Sequence, residues 1–368
     1  MGPLDSSYAK PKTVLVVDDS AFFRVAVTRM IESDPGFQVV GAAKDGIAAL
    51  EKILELDPDL ITLDLNMPRL DGLEVLRRLP RGKARRVVVL SGLTREGAEI
   101  TLSALELGAF DCVAKSPDDK SAGIESVRDE LLEKLRAAAE SHSATEPYGR
   151  RDSMTVRIPA QAVAGSSRAP ALVIIGTSTG GPKALQEIIP RLPADLPSGV
   201  LIVQHMPKGF TGPFAQRLNS ISPICVREAA DEDAIQPGLV LIAPAAWHCI
   251  IARDSARGFI VRLTKSPIDT LHVPSVDVTM LSAAEICGAD AMGVILTGMG
   301  TDGAEGMKAI YEIGGYTVGQ DEATCAVYGM PRACAELGIL RRQVPLKKIA
   351  EEIVAAALPV ANMSRESA

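Results

Sequence analysis

Several features that would assign a chain to a common functional class are scarce or absent here. The 368 residues carry a formal net charge of −7, so the excess of basic residues typical of nucleic-acid binding is missing. No run approaches the roughly 18 consecutive apolar residues that a membrane-spanning helix needs, and residues 1–11 lack the apolar core of a signal peptide. We therefore expect no nucleic-acid partner and no membrane insertion.

Cysteine and histidine are also sparse. The six cysteines are scattered, without a C-x-x-C pair or a histidine at metal-ligand spacing, which favours buried residues in a reducing cytoplasm. Only four histidines are available as general bases. At this length and with 47% apolar residues, two domains with separate cores are expected.

Residues 12 to about 140 alternate short apolar runs with helical patterns, which predicts an open α/β sheet of parallel strands. The predicted strands are 13–17, 38–42, 60–63, 87–90 and 112–114, and the predicted helices are 20–33, 46–56, 71–79, 95–107 and 120–139. Ligands of such sheets bind outside the carboxyl ends of the strands.

Residues 141–169 interrupt this alternation with a composition typical of a linker, although 154–158 could form a short strand. The β/α alternation then resumes and predicts a second, doubly wound and mainly parallel α/β domain. Its predicted strands are 171–175, 199–203, 239–243, 259–263 and 292–296, and its predicted helices are 180–189, 208–218, 275–287, 303–313 and 346–357.

Three carboxylates follow two apolar runs of the first domain. Asp18 and Asp19 end one run and Asp64 ends another. Each alone fits a turn or a helix cap, but three at adjacent strand ends would repel one another without a cation. Mg²⁺ is favoured because it accepts carboxylates together with waters and phosphate oxygens. Lys115 and Ser91 follow two further strands and could contact the phosphate.

These residues resemble a response-regulator receiver domain of the flavodoxin-like (βα)5 type, over residues 12–135. The resemblance is carried by Val17-Asp-Asp-Ser20, Leu63-Asp-Leu-Asn-Met-Pro68, Asp71-Gly72, Ser91 and Lys115-Ser-Pro117. It implies that Asp64 is phosphorylated and that Asp18, Asp19, Asp64 and the Asn66 carbonyl hold Mg²⁺. It also implies that Ser91 and Lys115 sense the phosphate, and Phe110 is the candidate aromatic switch residue.

A second set of reactive residues begins at Ser178, in the G-x-S-x-G pattern of residues 176–180. This pattern places a serine on a tight turn from strand to helix, where backbone N–H groups can face an oxyanion. A serine needs a base. His205 is preferred because it follows a predicted strand, and His272 is the second candidate. Asp302 follows another strand and could orient the base, although such a residue is commonly a helix N-cap.

The second domain resembles the catalytic domain of the chemotaxis methylesterases. The motifs are Gly176-Thr-Ser-Thr-Gly-Gly181, Gln204-His-Met-Pro207, His272-Val-Pro-Ser-Val-Asp277 and Thr297-Gly-Met-Gly-Thr-Asp-Gly303. The resemblance implies a methylesterase domain over 170–360 after a linker at 136–169. It also implies a triad of Ser178, His205 and Asp302, with Thr179 and Met299 in the oxyanion hole and cleft.

The implied activity is demethylation of glutamyl methyl esters, and deamidation of glutamines, on chemoreceptors. The implied phosphodonor is a chemotaxis-type histidine kinase, and no cofactor is expected for the ester chemistry. Two other interpretations stay open. Ser178 could be a turn residue of a non-catalytic binding module, or the chain could be a general esterase under phosphorylation control.

Overall fold

The chain divides into two compact units, Met1–Ser143 and Ala144–Ala368. The computed structural model describes residues 10–79, 86–92, 94–115, 122–141 and 170–358. The predicted linker at 141–169, with its possible strand at 154–158, lies almost entirely outside these ranges, as do Ser116 and Pro117. Among the helices in these ranges, none combines the length and the apolar character needed to span a lipid bilayer.

The first unit is a five-stranded parallel sheet in the order β2-β1-β3-β4-β5. All five strands and all five helices were predicted from the sequence. Its elements are β1 (Lys12–Val17), α1 (Ala21–Glu32), β2 (Phe37–Ala43), α2 (Gly46–Leu56), β3 (Leu60–Asp64), α3 (Gly72–Arg78), β4 (Arg86–Gly92), α4 (Arg95–Glu106), β5 (Asp111–Lys115) and α5 (Ala122–Glu140). Helix α5 thus runs past residue 135, the predicted end of the domain.

The local sequence explains why these elements form where they do. Strands β1, β3 and β4 have their central residues buried, as expected for a parallel sheet covered on both faces. Four of the helices begin at a side chain that accepts a hydrogen bond from an N–H of the first turn, which satisfies an otherwise unpaired donor. These capping residues are Ser20, Asp45, Asp71 and Thr94.

The second unit contains a seven-stranded parallel sheet in the order β14-β13-β12-β6-β7-β9-β8 and a separate antiparallel hairpin of β10 and β11. Its elements are β6 (Leu172–Thr177), α6 (Gly181–Ile188), β7 (Gly199–Gln204), α7 (Thr211–Ile221), β8 (Cys225–Glu228), β9 (Leu239–Ile242), β10 (His248–Asp254), β11 (Gly258–Thr264), α8 (Val276–Cys287), β12 (Ala291–Ile295), α9 (Ala304–Glu312), β13 (Tyr316–Gln320), α10 (Met330–Glu336), β14 (Arg342–Val344) and α11 (Leu346–Ala357).

The five predicted helices of this unit form within a few residues of their expected bounds. Strands β8, β10, β13 and β14 and helix α10 were not predicted from the sequence. The edge strands β8 and β14 are short and carry charged residues, so they lack the long apolar run that marked the central strands. The predicted strand at 259–263 forms as β11, but it pairs with β10 outside the parallel sheet.

Strand β6 lies at the centre of this sheet, between β7 and β12. The chain proceeds from β6 to β7 in one direction, and later strands are added beyond β12 in the other. This reversal creates a crevice outside the carboxyl ends of the central strands, which is where open α/β sheets bind their ligands. The loops after β6, β7 and β12 therefore define the expected site.

Helix α8 packs closely against the end of β6. A Cβ atom at Gly176 would lie 2.3 Å from Cγ1 of Val276 and 3.2 Å from Cδ1 of Ile295, and both side chains are fully buried. Only a glycine at this position allows the helix to approach the strand so closely.

We predict that Gly176→Ala destabilises the second unit by about 1–3 kcal/mol, because the added methyl overpacks the core. Gly212→Ala in α7 is the matched control, since its Cβ would meet only the flexible carboxylate of Glu228, at 3.3 Å. Urea unfolding followed through Trp247 fluorescence compares the two variants. Equal stability of both variants would show that α8 leaves room for a methyl group beside β6.

Candidate metal centre and candidate active site

The three carboxylates of the first unit meet at the carboxyl edge of its sheet. Asp18 and Asp19 follow β1 and Asp64 ends β3, and these two strands are paired. One carboxylate oxygen from each residue lies within 4.8 Å of the other two. Asp18 is fully buried and Asp64 is 6% exposed. The predicted cluster is therefore formed. Two of its carboxylates are buried, where little water can screen their charge, and Asp19 is exposed.

Lys115, at the end of β5, forms ion pairs with two of these carboxylates. Its Nζ lies 2.7 Å from Oδ2 of Asp18 and 2.9 Å from Oδ2 of Asp64. Burial raises the pKa of the Asp64 carboxyl, the Lys115 ammonium opposes this shift, and the charge of Asp18 adds to it. One ammonium is thus insufficient to offset the buried negative charge.

The donor set fits a hard divalent cation. Three carboxylates converge on one point, and the Lys115 ammonium offsets only part of their charge. Mg²⁺ binds through one or two carboxylates together with other oxygens, so Asp18, Asp19 and Asp64 supply suitable ligands. Asn66 lies in the loop directly after β3, and its N–H donates to Oδ1 of Asp64 at 3.4 Å.

Two other predicted residues of this unit lie on or beside the neighbouring strands β4 and β5. Ser91 is buried at the end of β4, and its hydroxyl donates to the Gly97 carbonyl of α4 at 3.2 Å. Phe110 packs half-buried against the apolar core beside β5. Arg24 was not predicted as a site residue, and its guanidinium donates to the carbonyls of Asp18 and Asp19 at 2.8 and 3.0 Å. No motif marks this arginine, because its contact is with backbone atoms.

In the second unit, Ser178 lies on the turn between β6 and α6. Gly180 has φ +78°, a left-handed conformation that glycine adopts without strain, and it caps the helix. The Ser178 N–H donates to the Thr297 carbonyl at 3.1 Å. Its carbonyl accepts from the N–H of Gly181 at 2.8 Å and from Nε2 of Gln204 at 2.9 Å. The turn that carries the hydroxyl is therefore fixed from both sides.

His205 and Asp302 form a largely buried pair at the same edge of the sheet. Nε2 of His205 lies 2.8 Å from Oδ2 of Asp302, and the two side chains are 9% and 12% exposed. Nδ1 of His205 is buried and has no hydrogen-bond partner in the part of the chain that the structure describes. With Nε2 bound to the carboxylate, Nδ1 is the nitrogen left to act as a base.

The Asp302 carboxylate accepts hydrogen bonds from the first residues of α8 as well as from His205. Val276 N–H donates at 2.8 Å, Asp277 N–H at 3.0 Å and the Ser275 hydroxyl at 2.8 Å. Burial by itself would raise the pKa of Asp302, but the bond from His205 and these backbone donors outweigh it and hold the pKa far below its usual value. Asp302 therefore stays ionised, and it caps α8 rather than its own helix, α9.

Asp277 in α8 makes the reciprocal contact with α9, the helix that follows Asp302. Its Oδ1 accepts from the N–H of Gly306 in α9 at 2.8 Å. Burial raises the pKa of Asp277, and the nearby charge of Asp302 adds to this shift. Asp302, which precedes α9, thus accepts from N–H groups at the start of α8. Asp277, which lies in α8, accepts from an N–H near the start of α9. The position of Asp302 is consequently fixed by two packed helices.

The second candidate base, His272, contacts the first. Its ring stacks on that of His205 with the centroids 4.1 Å apart and an interplanar angle of 24°. The buried His248 uses both nitrogens: Nδ1 accepts from the Ser275 N–H at 3.1 Å, and Nε2 lies 3.1 Å from the Pro267 carbonyl. Burial lowers the pKa of His248, so it stays neutral and anchors the loop that carries His272.

Two backbone N–H groups face away from the sheet beside Ser178. The carbonyls of Ser178 and Gly298 each accept two hydrogen bonds from the protein interior. In a planar trans peptide the following N–H points the opposite way, and those N–H groups belong to Thr179 and Met299. Within the described ranges neither has an acceptor. A Cβ on Gly298 would lie 2.9 Å from Cβ of Ser178, so both donors lie close to the serine.

Comparison with known proteins supports this two-part organisation. A family profile described as response regulator receiver domain matches residues 14–125, and one described as CheB methylesterase matches residues 173–353. Among solved structures, the CheB methylesterase catalytic domain of Thermotoga maritima is 40% identical. That alignment covers 51% of this chain and 98% of the other, with a TM-score of 0.49.

Full-length relatives share both parts. A protein-glutamate methylesterase/protein-glutamine glutaminase of Symbiobacterium thermophilum is 47% identical over 94% of this chain and 97% of its own length. A protein of the same description from Geobacter sulfurreducens is 44% identical over 92% of this chain and 96% of its own. These full-length relatives and the two family profiles show that the chain belongs to the CheB family of receiver-linked methylesterases.

Proposed function

We propose that this protein is a phosphorylation-regulated protein-glutamate methylesterase and protein-glutamine glutaminase that acts on chemoreceptors. The observation that carries the proposal is the 2.8 Å contact between His205 and Asp302 at the sheet edge that also presents Ser178. A buried ionised acid that orients a histidine beside a serine is the arrangement of a nucleophilic hydrolase. A binding module has no need of such a pair.

In the proposed reaction Ser178 attacks the carbonyl carbon of a glutamyl γ-methyl ester. Its proton passes to Nδ1 of His205, whose other nitrogen is held by Asp302. The N–H groups of Thr179 and Met299 donate to the oxyanion of the tetrahedral intermediate. The C–O bond to the methoxy group then breaks, and His205 returns its proton so that methanol leaves. Ser178 is left acylated by the glutamyl group.

Deacylation uses the same residues in reverse. A water molecule loses a proton to His205 and attacks the acyl carbon, and the intermediate releases Ser178 with that proton. The receptor side chain is then a glutamate carboxylate. A glutamine side chain follows the same steps with ammonia as the leaving group. The ionised state of Asp302 stabilises the imidazolium that forms in each half-reaction.

In the receiver unit we propose that Asp64 is the phosphorylated residue. Asp18, Asp19 and Asp64, with the Asn66 carbonyl, would hold Mg²⁺, which supplies positive charge for the incoming phosphoryl oxygens. Lys115 already lies at this edge to pair with phosphate, and Ser91 would sense it through a change of its bond to α4. Phe110 remains the candidate switch residue. The ester chemistry itself needs no cofactor in this scheme.

The proposed partners follow from these roles. A chemotaxis-type histidine kinase would be the phosphodonor, and methyl-accepting chemoreceptors would be the substrates, with the protein acting in the cytoplasm. The sequence predicts limits of 12–135 for the receiver, 136–169 for the linker and 170–360 for the methylesterase domain. Because α5 continues to Glu140, the proposed end of the receiver moves to that residue. Phosphorylation would shift the population towards a state in which substrate reaches Ser178.

Replacing the nucleophile should separate the two chemistries. We predict that Ser178→Ala lowers methanol release from methyl-labelled receptor membranes by about 10⁴-fold or more, because no other group can form the acyl intermediate. Phosphorylation of Asp64 by acetyl phosphate should be unchanged. Ser220→Ala, on the exposed face of α7, is the control. Turnover by Ser178→Ala at the wild-type rate would remove Ser178 from the mechanism.

Replacing Asp64 should abolish the response to phosphorylation but leave the ester hydrolysis itself intact. We predict that Asp64→Asn retains a low basal rate of methanol release that acetyl phosphate with Mg²⁺ does not raise. Asp129→Asn, an exposed acid on α5, should respond as the wild type does. The measurement is the ratio of rates with and without the phosphodonor. A normal ratio for Asp64→Asn would place the switch elsewhere.

The electrostatics of the metal centre predict a pH-dependent stability. Because the pKa of Asp64 is raised in the fold, its ionised form is disfavoured. This penalty is absent below the pKa of the unfolded chain, grows as pH rises and is complete above the folded pKa. Without Mg²⁺ at pH 7, Asp64→Asn should therefore protect the amides of β1 and β3 more strongly than the wild type does.

Hydrogen exchange, corrected for intrinsic rates, measures this difference. It should shrink as pH falls towards about 4, the usual pKa of an unfolded aspartate. Stronger protection in the wild type at pH 7 would mean that the Lys115 ion pair outweighs the burial of Asp64, which would contradict the prediction.

A further inference from the structure

The side chain of Gln204 ties together the backbones of the proposed nucleophile and the proposed base. Gln204 is the last residue of β7 and is 1% exposed. Its Nε2 donates to the Ser178 carbonyl at 2.9 Å and to the His205 carbonyl at 3.0 Å. An amide NH₂ group has two protons, so both are used on these two residues.

The rest of this amide is held in one orientation. Oε1 of Gln204 is buried without a hydrogen-bond donor in the described part of the chain. A Cβ on Gly181 would lie 2.0 Å from that oxygen, so the first residue of α6 presses against the amide. An unsatisfied buried acceptor such as Oε1 destabilises a fold. The two hydrogen bonds donated by Nε2 offset this cost and hold the amide in this orientation.

These bonds determine where the next N–H group points. The Ser178 carbonyl accepts from Gln204 and from Gly181, so it is directed into the interior. Because the peptide is planar and trans, the Thr179 N–H is directed outwards, beside the serine hydroxyl. Loss of the Gln204 donor would free this peptide to rotate, since only the Gly181 bond would remain.

We propose that Gln204 is a positioning residue that sets the Ser178–Thr179 peptide as an oxyanion donor and fixes the spacing of Ser178 and His205. It acts through backbone atoms and touches no substrate. The inference rests on the proposed function, because it assigns Gln204 a role in the same reaction. Gln204 should therefore stabilise the transition state, in which the oxyanion forms, and should have little effect on binding of the ester.

The test compares Gln204→Met and Gln204→Glu with the wild type in the full-length protein. Methionine keeps the volume but has no donor, and glutamate keeps the shape but places an oxygen against two carbonyls. The measurements are kcat and KM for methanol release from methyl-labelled receptor membranes, the labelling rate with a fluorophosphonate, and the melting temperature. Thr317→Val is the control, because it removes a buried hydroxyl that donates to the Ile339 carbonyl and accepts from the Arg341 N–H near the start of β13.

We expect kcat and the labelling rate of both glutamine variants to fall by about 10- to 100-fold, since misplacement by about 1 Å has effects of this size. KM should change by less than about twofold, because ground-state binding is retained. Thr317→Val should lose a similar amount of thermal stability and keep its kcat. If the methionine variant fails to fold, the glutamate variant decides. If neither folds, Gly181→Ala, which displaces the same amide, decides.

A folded glutamine variant whose kcat stays within about twofold of the wild-type value would overturn the inference. A wild type that neither releases methanol nor reacts with the fluorophosphonate would instead overturn the proposed function. The two failures are therefore distinguishable in one set of measurements. A rise in KM at constant kcat would also overturn the inference, because it would assign Gln204 to substrate binding.

Discussion

The buried negative charge of Asp302 is the constraint on which the active-site architecture depends. An unpaired carboxylate at this depth would be strongly disfavoured. In the folded protein it accepts from His205, from two N–H groups at the start of α8 and from the Ser275 hydroxyl. The donors that stabilise the charge are thus the start of a packed helix and the imidazole of His205, the proposed base. The same carboxylate therefore holds the start of α8 in place and orients the ring of His205.

Each unit places its candidate site at the carboxyl ends of the strands of its own parallel sheet, but the electrostatics of the two sites are opposite. In the first, three carboxylates converge and one ammonium offsets part of their charge, so the site favours an added cation. In the second, the single carboxylate of Asp302 is surrounded by hydrogen-bond donors, one of which is the ring of His205. Loops at strand ends serve both purposes because the sheet fixes their starting points while their sequences vary.

The sequence predicted the parts of the protein that depend on local pattern. The long apolar runs of the central strands, and the polar residues that end them, located Asp64, Ser178, His205 and Asp302 correctly at sheet edges. Short or charged strands such as β8 and β14 gave no such signal. The roles of His248, Ser275 and Gln204 were not predictable, because each depends on contacts between segments far apart in the chain. From its position in the sequence, Asp302 would be expected to cap α9. Only the packed structure shows that its carboxylate accepts from the first N–H groups of α8 instead.

The protonation of His205 tests most directly whether Asp302 prepares this residue to act on Ser178. The nitrogen chemical shifts of its ring, measured in labelled protein at a pH where the ring is neutral, report which nitrogen carries the proton. We predict a proton on Nε2, bound to Asp302, and a free lone pair on Nδ1, with this preference lost in Asp302→Asn. A proton on Nδ1 in the wild type would contradict the proposed mechanism, because the base would then have no lone pair for the Ser178 hydroxyl.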